Sequence, residues 1–408
     1  MKASYKKILT MYGASILAIV FGFLVSIFNS RVLGPEGFGD YKFIETVARF
    51  IASLVSVGFF ISISRLLAIN TSNLEKKKYI GLFTIIFFAT SVLGIFIFLG
   101  FSYFQPYFFD NNLSSTIRMN FFIVLVILGH LALAEILKGL HHIYTISIIS
   151  VLPSVAYLIS AYIARTYLNI EINAEIVLFL YYGILLITLL IVISGLKPNF
   201  KYEKQFVRNL LKENKYNGRP IYYGSLAGVA TTHIAGLSIS YFMNNSQVGF
   251  FMLALTVCGP LLVIPSVLGT IFFKQFATIK HIPKKVFYFS TLGTAFALLI
   301  FYLFIDIVIV TFYDTAYLEV ANISKYLILG FIFHGFGDLV NRFLGAKGQG
   351  KLLRNAAYFV GVMNILGYTL LIKFFGINGA ILTKILASGL YFCIMLYYYH
   401  RFVKENKI

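Results

Sequence analysis

Apolar stretches of about twenty residues recur along almost the whole chain, and nothing else constrains its fold as strongly. They run at 8–30, 42–67, 79–101, 119–138, 143–163, 175–195, 220–243, 248–273, 286–311, 323–345, 355–374 and 377–400. Each is long enough to cross a bilayer as a helix, allowing for tilt. Twelve such stretches use most of the 408 residues, and the connections between them are too short to hold an extramembrane domain. The composition agrees: 59% of residues are hydrophobic, 12% are charged, and mean hydropathy is +0.85. A soluble domain is about 25% charged. The chain reads as an all-α integral membrane protein with twelve spans.

Lys2, Lys6 and Lys7 precede the first run, as in a secretory signal peptide. That run continues to Phe28 without a small-residue cleavage site, so it reads as an uncleaved first span. Lys and Arg total 34 against 15 Asp and Glu, a formal net charge of +19. With an inside start, 26 of the 34 bases fall in cytoplasmic segments and five in the opposite ones. The positive-inside rule accounts for that split and places both termini in the cytoplasm. Nucleic acid is excluded as a partner, because no basic domain exists to carry it. Cys258 and Cys393 lie in separate apolar runs, which gives no disulfide framework and no metal-ligand spacing, and they read as packing residues.

The longest polar connection, 196–219, carries seven bases and divides the spans six and six. The expected organisation is an N-terminal six-helix lobe (1–196), a basic cytoplasmic linker (197–219) and a C-terminal six-helix lobe (220–408). A shift of 210 residues lays Gly39 on Gly249, Thr46-Val47 on Thr256-Val257 and Ser56-Val57 on Ser266-Val267, with eight identities over residues 12–57. An offset of six spans keeps orientation, so the halves are expected as parallel repeats around a central cavity.

The stretch Arg31-Val-Leu-Gly-Pro-Glu-Gly-Phe-Gly-Asp-Tyr41 opens the second span. It resembles polysaccharide flippases of the Wzx type, in the superfamily that also holds the MATE exporters and the MurJ-type lipid flippases. Val248 to Ala254, Pro265 to Lys274 and Phe375 to Thr383 resemble further points of that family in the same order. The resemblance implies a substrate, an undecaprenyl-diphosphate-linked oligosaccharide, moved from the inner to the outer leaflet of a bacterial plasma membrane. It also implies membrane lipids and other polysaccharide-assembly membrane proteins as company, no cofactor, and a proton or sodium gradient as a source of drive. Independently of any family, Gly34, Gly37 and Gly39 around Pro35 predict a tight turn between spans one and two.

A charge at mid-bilayer costs about 3 kcal/mol on insertion scales, so those that persist face a cavity or a partner. Glu45 and Arg49 stand at i, i+4 with the acid first, the favourable order. Arg49 and Lys384 lie at similar depths from the outer side. With Arg31 they are the candidate diphosphate contacts that the resemblance implies. The other readings are a packed Glu45–Arg49 pair and a Lys384 that snorkels to the headgroups. His334, Asp338 and Arg342 share one face of span ten and could relay a proton or hold a coupling ion. They could equally be an ion pair beside an interior histidine, and His130 and His233 are further interior candidates. No metal site is expected, because no two His share a helix at ligand spacing. Pro153, Pro260 and Pro265 are expected to kink spans five and eight.

An enzyme acting on the same lipid-linked sugar would need a large outer loop, and the longest expected here is Ser102 to Arg118. It would also need a clustered carboxylate pair, which is absent. A MATE-like exporter of organic cations would want an unpaired acid. Asp306 is the acid without a base within one turn, and keeps that alternative and an ion-coupling role open.

Overall fold

The computed structural model describes residues 2–70, 72–201 and 203–405, with side chains described except at 2–12, 227–232 and 263. Lys2, Lys6, Lys7 and Lys407 of the expected basic tails therefore lie outside the described side chains. Among the described residues the chain is helical, with no strand.

Eight helical segments are long and apolar enough to cross a membrane among the described residues. The twelve expected spans all fall on helices, so the lower figure has identifiable causes. The helix α1 (Lys2–Val55) contains spans one and two, separated only by a non-helical Gly34 at φ 65°, ψ 178°. That left-handed φ costs a glycine nothing, and Pro35 excludes a helical conformation from the residue before it. The expected turn is thus one residue long. Gly37 and Gly39 are helical, and Asp40 sits within the helix and not in a loop. After a break at Ser56–Gly58, α2 (Phe59–Ile69) completes the second span. At the far end, α15 (Ile372–Glu405) has its own break at Gly376, between spans eleven and twelve.

The remaining helices are α3 (Asn73–Phe108), α4 (Ser114–Met119), α5 (Ile123–Gly139), α6 (Ile143–Thr166), α7 (Ala174–Gly195) and α8 (Lys204–Glu213). A π turn (Asn214–Gly218) leads into α9 (Arg219–Phe242), followed by α10 (Asn245–Ile271), α11 (Phe273–Phe276) and α12 (Lys284–Phe312). Then come α13 (Leu318–Ala346), α14 (Gly350–Leu366), and a second π turn (Gly367–Leu371) entering α15. Asparagine side chains start two of the spans: Asn173 accepts from the Ile176 amide at 2.9 Å, and Asn244 from the Gln247 amide at 3.0 Å. Helices α6 and α10 run on through Pro153, Pro260 and Pro265. Only residues 109–113 separate α3 from α4, so the longest expected outer loop is mostly helix.

The chain divides into two compact units, Met1–His233 and Ile234–Ile408. In the first, α1 packs on α6, α5, α3 and α7, and α2 on α5 and α3. In the second, α13 packs between α10 and α15. Large apolar side chains also cover the outsides: Phe96 is 69% exposed and Phe296 64%. In lipid such surfaces carry no penalty, and helix association rests on packing and internal polar contacts. Cys258 is buried as expected, whereas Cys393 is exposed and packs no interior.

A candidate binding site in the first unit

The second segment of α1 carries Lys42, Glu45 and Arg49 at i, i+3 and i+7, so all three share one face. The buried Glu45 carboxylate accepts from both cations. Lys42 Nζ donates to Oε2 at 2.9 Å, and Arg49 donates to Oε1 through Nε at 3.0 Å and Nη2 at 2.7 Å. From α7, the buried Tyr182 hydroxyl donates to Oε1 at 3.1 Å. Two cations share one carboxylate, so the cluster keeps a net charge of +1. The Glu45–Arg49 pair expected from the sequence is present, and Lys42 prevents it from being neutral.

The arginine side chain is 43% exposed and opens onto two concavities. The larger, about 1140 Å³ including its open mouth, is walled by Ser53, Ser56, Glu135, Tyr222, Ser225 and His233. The smaller, about 530 Å³ on the same measure, is lined by His130, Ser150, Ser154, Tyr181 and Tyr182. One guanidinium thus forms part of both walls, with its Nε edge held by Glu45. The two histidines that looked like ordinary interior residues each line one concavity.

The break between α1 and α2 also lines the larger space, through Ser56 and Gly58. It is held by the π turn and by Glu213, the last residue of α8. Ser62 Oγ donates to Asn214 Oδ1 at 3.2 Å, Asn214 Nδ2 donates to the Val57 carbonyl at 3.4 Å, and Arg65 bridges Glu213 at 2.6 Å. Tyr222 donates to the Leu54 carbonyl at 2.7 Å. Gly58 has φ 77°, and the Gly218 backbone approaches so closely that a Cβ on either glycine would overlap the other's carbonyl. A strained turn, with Val57 also at positive φ, is fixed by this packing.

The other candidates are dispersed. Arg31 is exposed on the segment of α1 before Gly34 and is not among the residues lining either concavity. In the second unit the half-buried Lys384 has no ion-pair partner among the described residues, and its Nζ stands 5.0 Å from the centre of the Phe331 ring. Asp338 and Arg342 pair at 3.0 Å. His334 does not join them; it stacks on Tyr391 at 4.9 Å, and Asn341 donates to the Tyr391 hydroxyl at 2.7 Å. Asp306 corrects the sequence reading. Lys325 of α13 donates to both its oxygens, at 2.8 and 2.7 Å, so the acid that looked unpaired is bidentately bridged across a helix hairpin. Among the described residues no His, Cys, Asp and Glu cluster could hold a metal ion.

Comparison with solved structures shows the fold. The chain is similar to an inward-facing multidrug resistance MATE family transporter of the MOP superfamily, with TM-score 0.68, 14% identity and 96% of each chain covered. It is also similar to the lipid II flippase MurJ in an inward closed conformation, with TM-score 0.71, 15% identity, and 96% of this chain and 87% of that one covered. A third likeness is to a mutant of the Vibrio cholerae MATE transporter VcmN, with TM-score 0.61, 13% identity, and 98% and 97% covered. No curated protein matches the chain. The family model described as polysaccharide biosynthesis protein matches residues 4–273, well over half of the sequence, and the chain belongs to that family.

Proposed function

We propose that this protein is a flippase that moves an undecaprenyl-diphosphate-linked oligosaccharide from the inner to the outer leaflet of the bacterial plasma membrane. The observation that carries the reading is the net-positive Lys42–Glu45–Arg49 cluster, with Arg49 facing two concavities in a chain of the polysaccharide biosynthesis family. A diphosphate leaving water needs positive charge or aimed donors in exchange for its hydration. Arg49 offers them from a fixed orientation, since Glu45 holds its Nε edge and the opposite terminal nitrogen remains for phosphate. Arg31 and Lys384 are further diphosphate contacts in this reading. The lobes 1–196 and 220–408, joined by the basic linker 197–219, are the bodies that alternate, with both termini cytoplasmic.

Membership of the polysaccharide biosynthesis family and the similarity to a MATE transporter and a lipid II flippase support a carrier with no covalent chemistry of its own. His334, Asp338 and Arg342 are the proposed place for proton or sodium coupling. A MATE-like role in exporting organic cations loses its main support, because Asp306 is bridged by Lys325. The deciding measurement is transport of defined lipid-diphosphate oligosaccharides in vesicles, with the double variant Glu45→Gln/Arg49→Ala alongside the natural protein. Normal flipping by a folded double variant rejects the site. Export of organic cations with no flipping of the lipid rejects the function.

A further inference from the structure

The short helix α8 carries more charge sorting than its packing needs. At about 100° per residue, Lys204, Arg208 and Lys212 fall within about 80° of each other on its circumference. The buried Leu210 and the half-buried Phe206 lie roughly opposite. Phe206 packs edge-on against Tyr79 of α3 at 5.0 Å, so the apolar face of α8 is already used within the unit. The two flanking acids also turn away from the cations: Glu203 bridges Lys78 and Glu213 bridges Arg65. No base of the stripe has an ion-pair partner among the described residues, and exposed Lys215 and Arg219 follow within the next two turns. Like charges at i, i+4 repel, so this stripe weakens its own helix slightly unless something anionic covers it.

Helix α8 links α9 to α7, which is long and apolar enough to cross a membrane, and the exposed Phe200, Leu211 and Tyr216 flank the stripe. Bases for the phosphate and apolar side chains for the acyl boundary are the complement of a charged phospholipid surface.

We propose that Lys204, Arg208 and Lys212 of α8 dock anionic phospholipid headgroups, as a surface separate from the Arg49 concavities. The inference holds whether or not those concavities take a lipid diphosphate. Dioctanoyl phosphatidylglycerol is titrated against the purified full chain in neutral detergent, with dioctanoyl phosphatidylcholine and inorganic phosphate in parallel. The variant Lys204→Gln/Arg208→Gln/Lys212→Gln removes three bases. The control Lys280→Gln/Lys284→Gln/Lys285→Gln removes three exposed bases elsewhere, for the same change in net charge. The expected result is phosphatidylglycerol binding that weakens roughly 10- to 100-fold in the α8 variant and less than twofold in the control, with melting temperatures unchanged. Equal loss in both variants, or no loss in either, overturns the proposal. So does inorganic phosphate binding as tightly as the lipid. An α8 variant that keeps phosphatidylglycerol but loses binding of polyglutamate would assign the stripe to an acidic protein segment instead.

Discussion

Arg49 and Lys384 look alike in the sequence, as single cations within apolar helices, yet their surroundings differ. Arg49 is held at one edge by a carboxylate that a tyrosine and a lysine also bind, and it opens onto two concavities. Lys384 has no acid among the described residues and rests against the ring of Phe331, a cation–π contact of about 1–2 kcal/mol in a desolvated setting. The 210-residue shift sharpens the contrast. It lays Lys42, Glu45 and Arg49 over Met252, Leu255 and Gly259. It also lays the break at Gly34 on Asn244, where α9 gives way to α10. At the shifted positions the chain keeps a helix, a break and a helix, and none of the three charges.

The strongest way to break this comparison is to change each cation. Arg49→Ala is expected to cut flipping at least 100-fold. It also costs about 2 kcal/mol of stability, less than a fully buried pair would, because Lys42 remains on Glu45 and the arginine is partly exposed. Glu45→Gln/Arg49→Ala should recover the stability but not the transport. Arg49→Lys should lose most of the activity, since a point charge cannot hold Glu45 and phosphate at two edges. Lys384→Arg should cost less than threefold. Equal sensitivity of the two sites in a vesicle assay, normalised to protein in the membrane, would erase the distinction.

Much of this was legible in the residues, and the exceptions have geometric causes. Runs of twenty apolar residues marked the helices because only a closed backbone survives in lipid. Pairs within one helix turn, Glu45–Arg49 and Asp338–Arg342, could be read from spacing alone. Lys42 is also within reach at i−3 of Glu45, but it stands at the very edge of its apolar run, where spacing does not separate a site residue from a surface one. Tyr182 and Lys325 could not be found that way. The first lies 137 residues from Glu45, and the second is 19 residues from Asp306 across the α12–α13 hairpin. The turn at Gly34 was expected to be longer because glycine content marks a turn without saying how many residues it takes. His130 and His233 carry no local signal that separates a cavity wall from a packed interior.

Next in size is the clamp on the broken second span, which has no counterpart among the described residues of α10, where the helix continues past Pro265. Gly218→Ala would drive a Cβ into Ser62 Oγ, Asn214 Oδ1 and the Gly58 carbonyl. Two of these belong to the π turn and the break themselves, so the strain cannot be relieved by one flexible side chain. A loss of about 1–3 kcal/mol is expected, read as a lower melting temperature and lower yield. Gly224→Ala meets nothing within 4 Å and should be neutral. If both behave alike, the clamp does not hold the wall of the larger concavity. Tyr182→Phe is milder: it deletes one hydrogen bond to Glu45, worth about 1 kcal/mol, and should lower flipping roughly threefold to tenfold by loosening Arg49.

The smallest effect is expected at Asp306, and it tests whether acids of the second unit matter at all. Its bridge to Lys325 is bidentate, but the carboxylate is 47% exposed and the ammonium 28%, so solvent or headgroups screen the attraction. Such pairs are worth about 0–1 kcal/mol. Asp306→Asn should therefore leave the melting temperature within about 2 °C, and flipping within twofold of the natural protein. Asp338 is less exposed, at 26%, and lies four residues beyond His334 on the same helix face. Asp338→Asn leaves Arg342 without its carboxylate and should change the dependence of transport on a proton or sodium gradient. The informative readout is that dependence and not the rate alone, because a structural pair would lower the rate at every gradient by the same factor. If Asp306→Asn abolishes gradient dependence and Asp338→Asn does not, coupling belongs to the α12–α13 hairpin, and the stripe on α13 is a structural feature of the second unit.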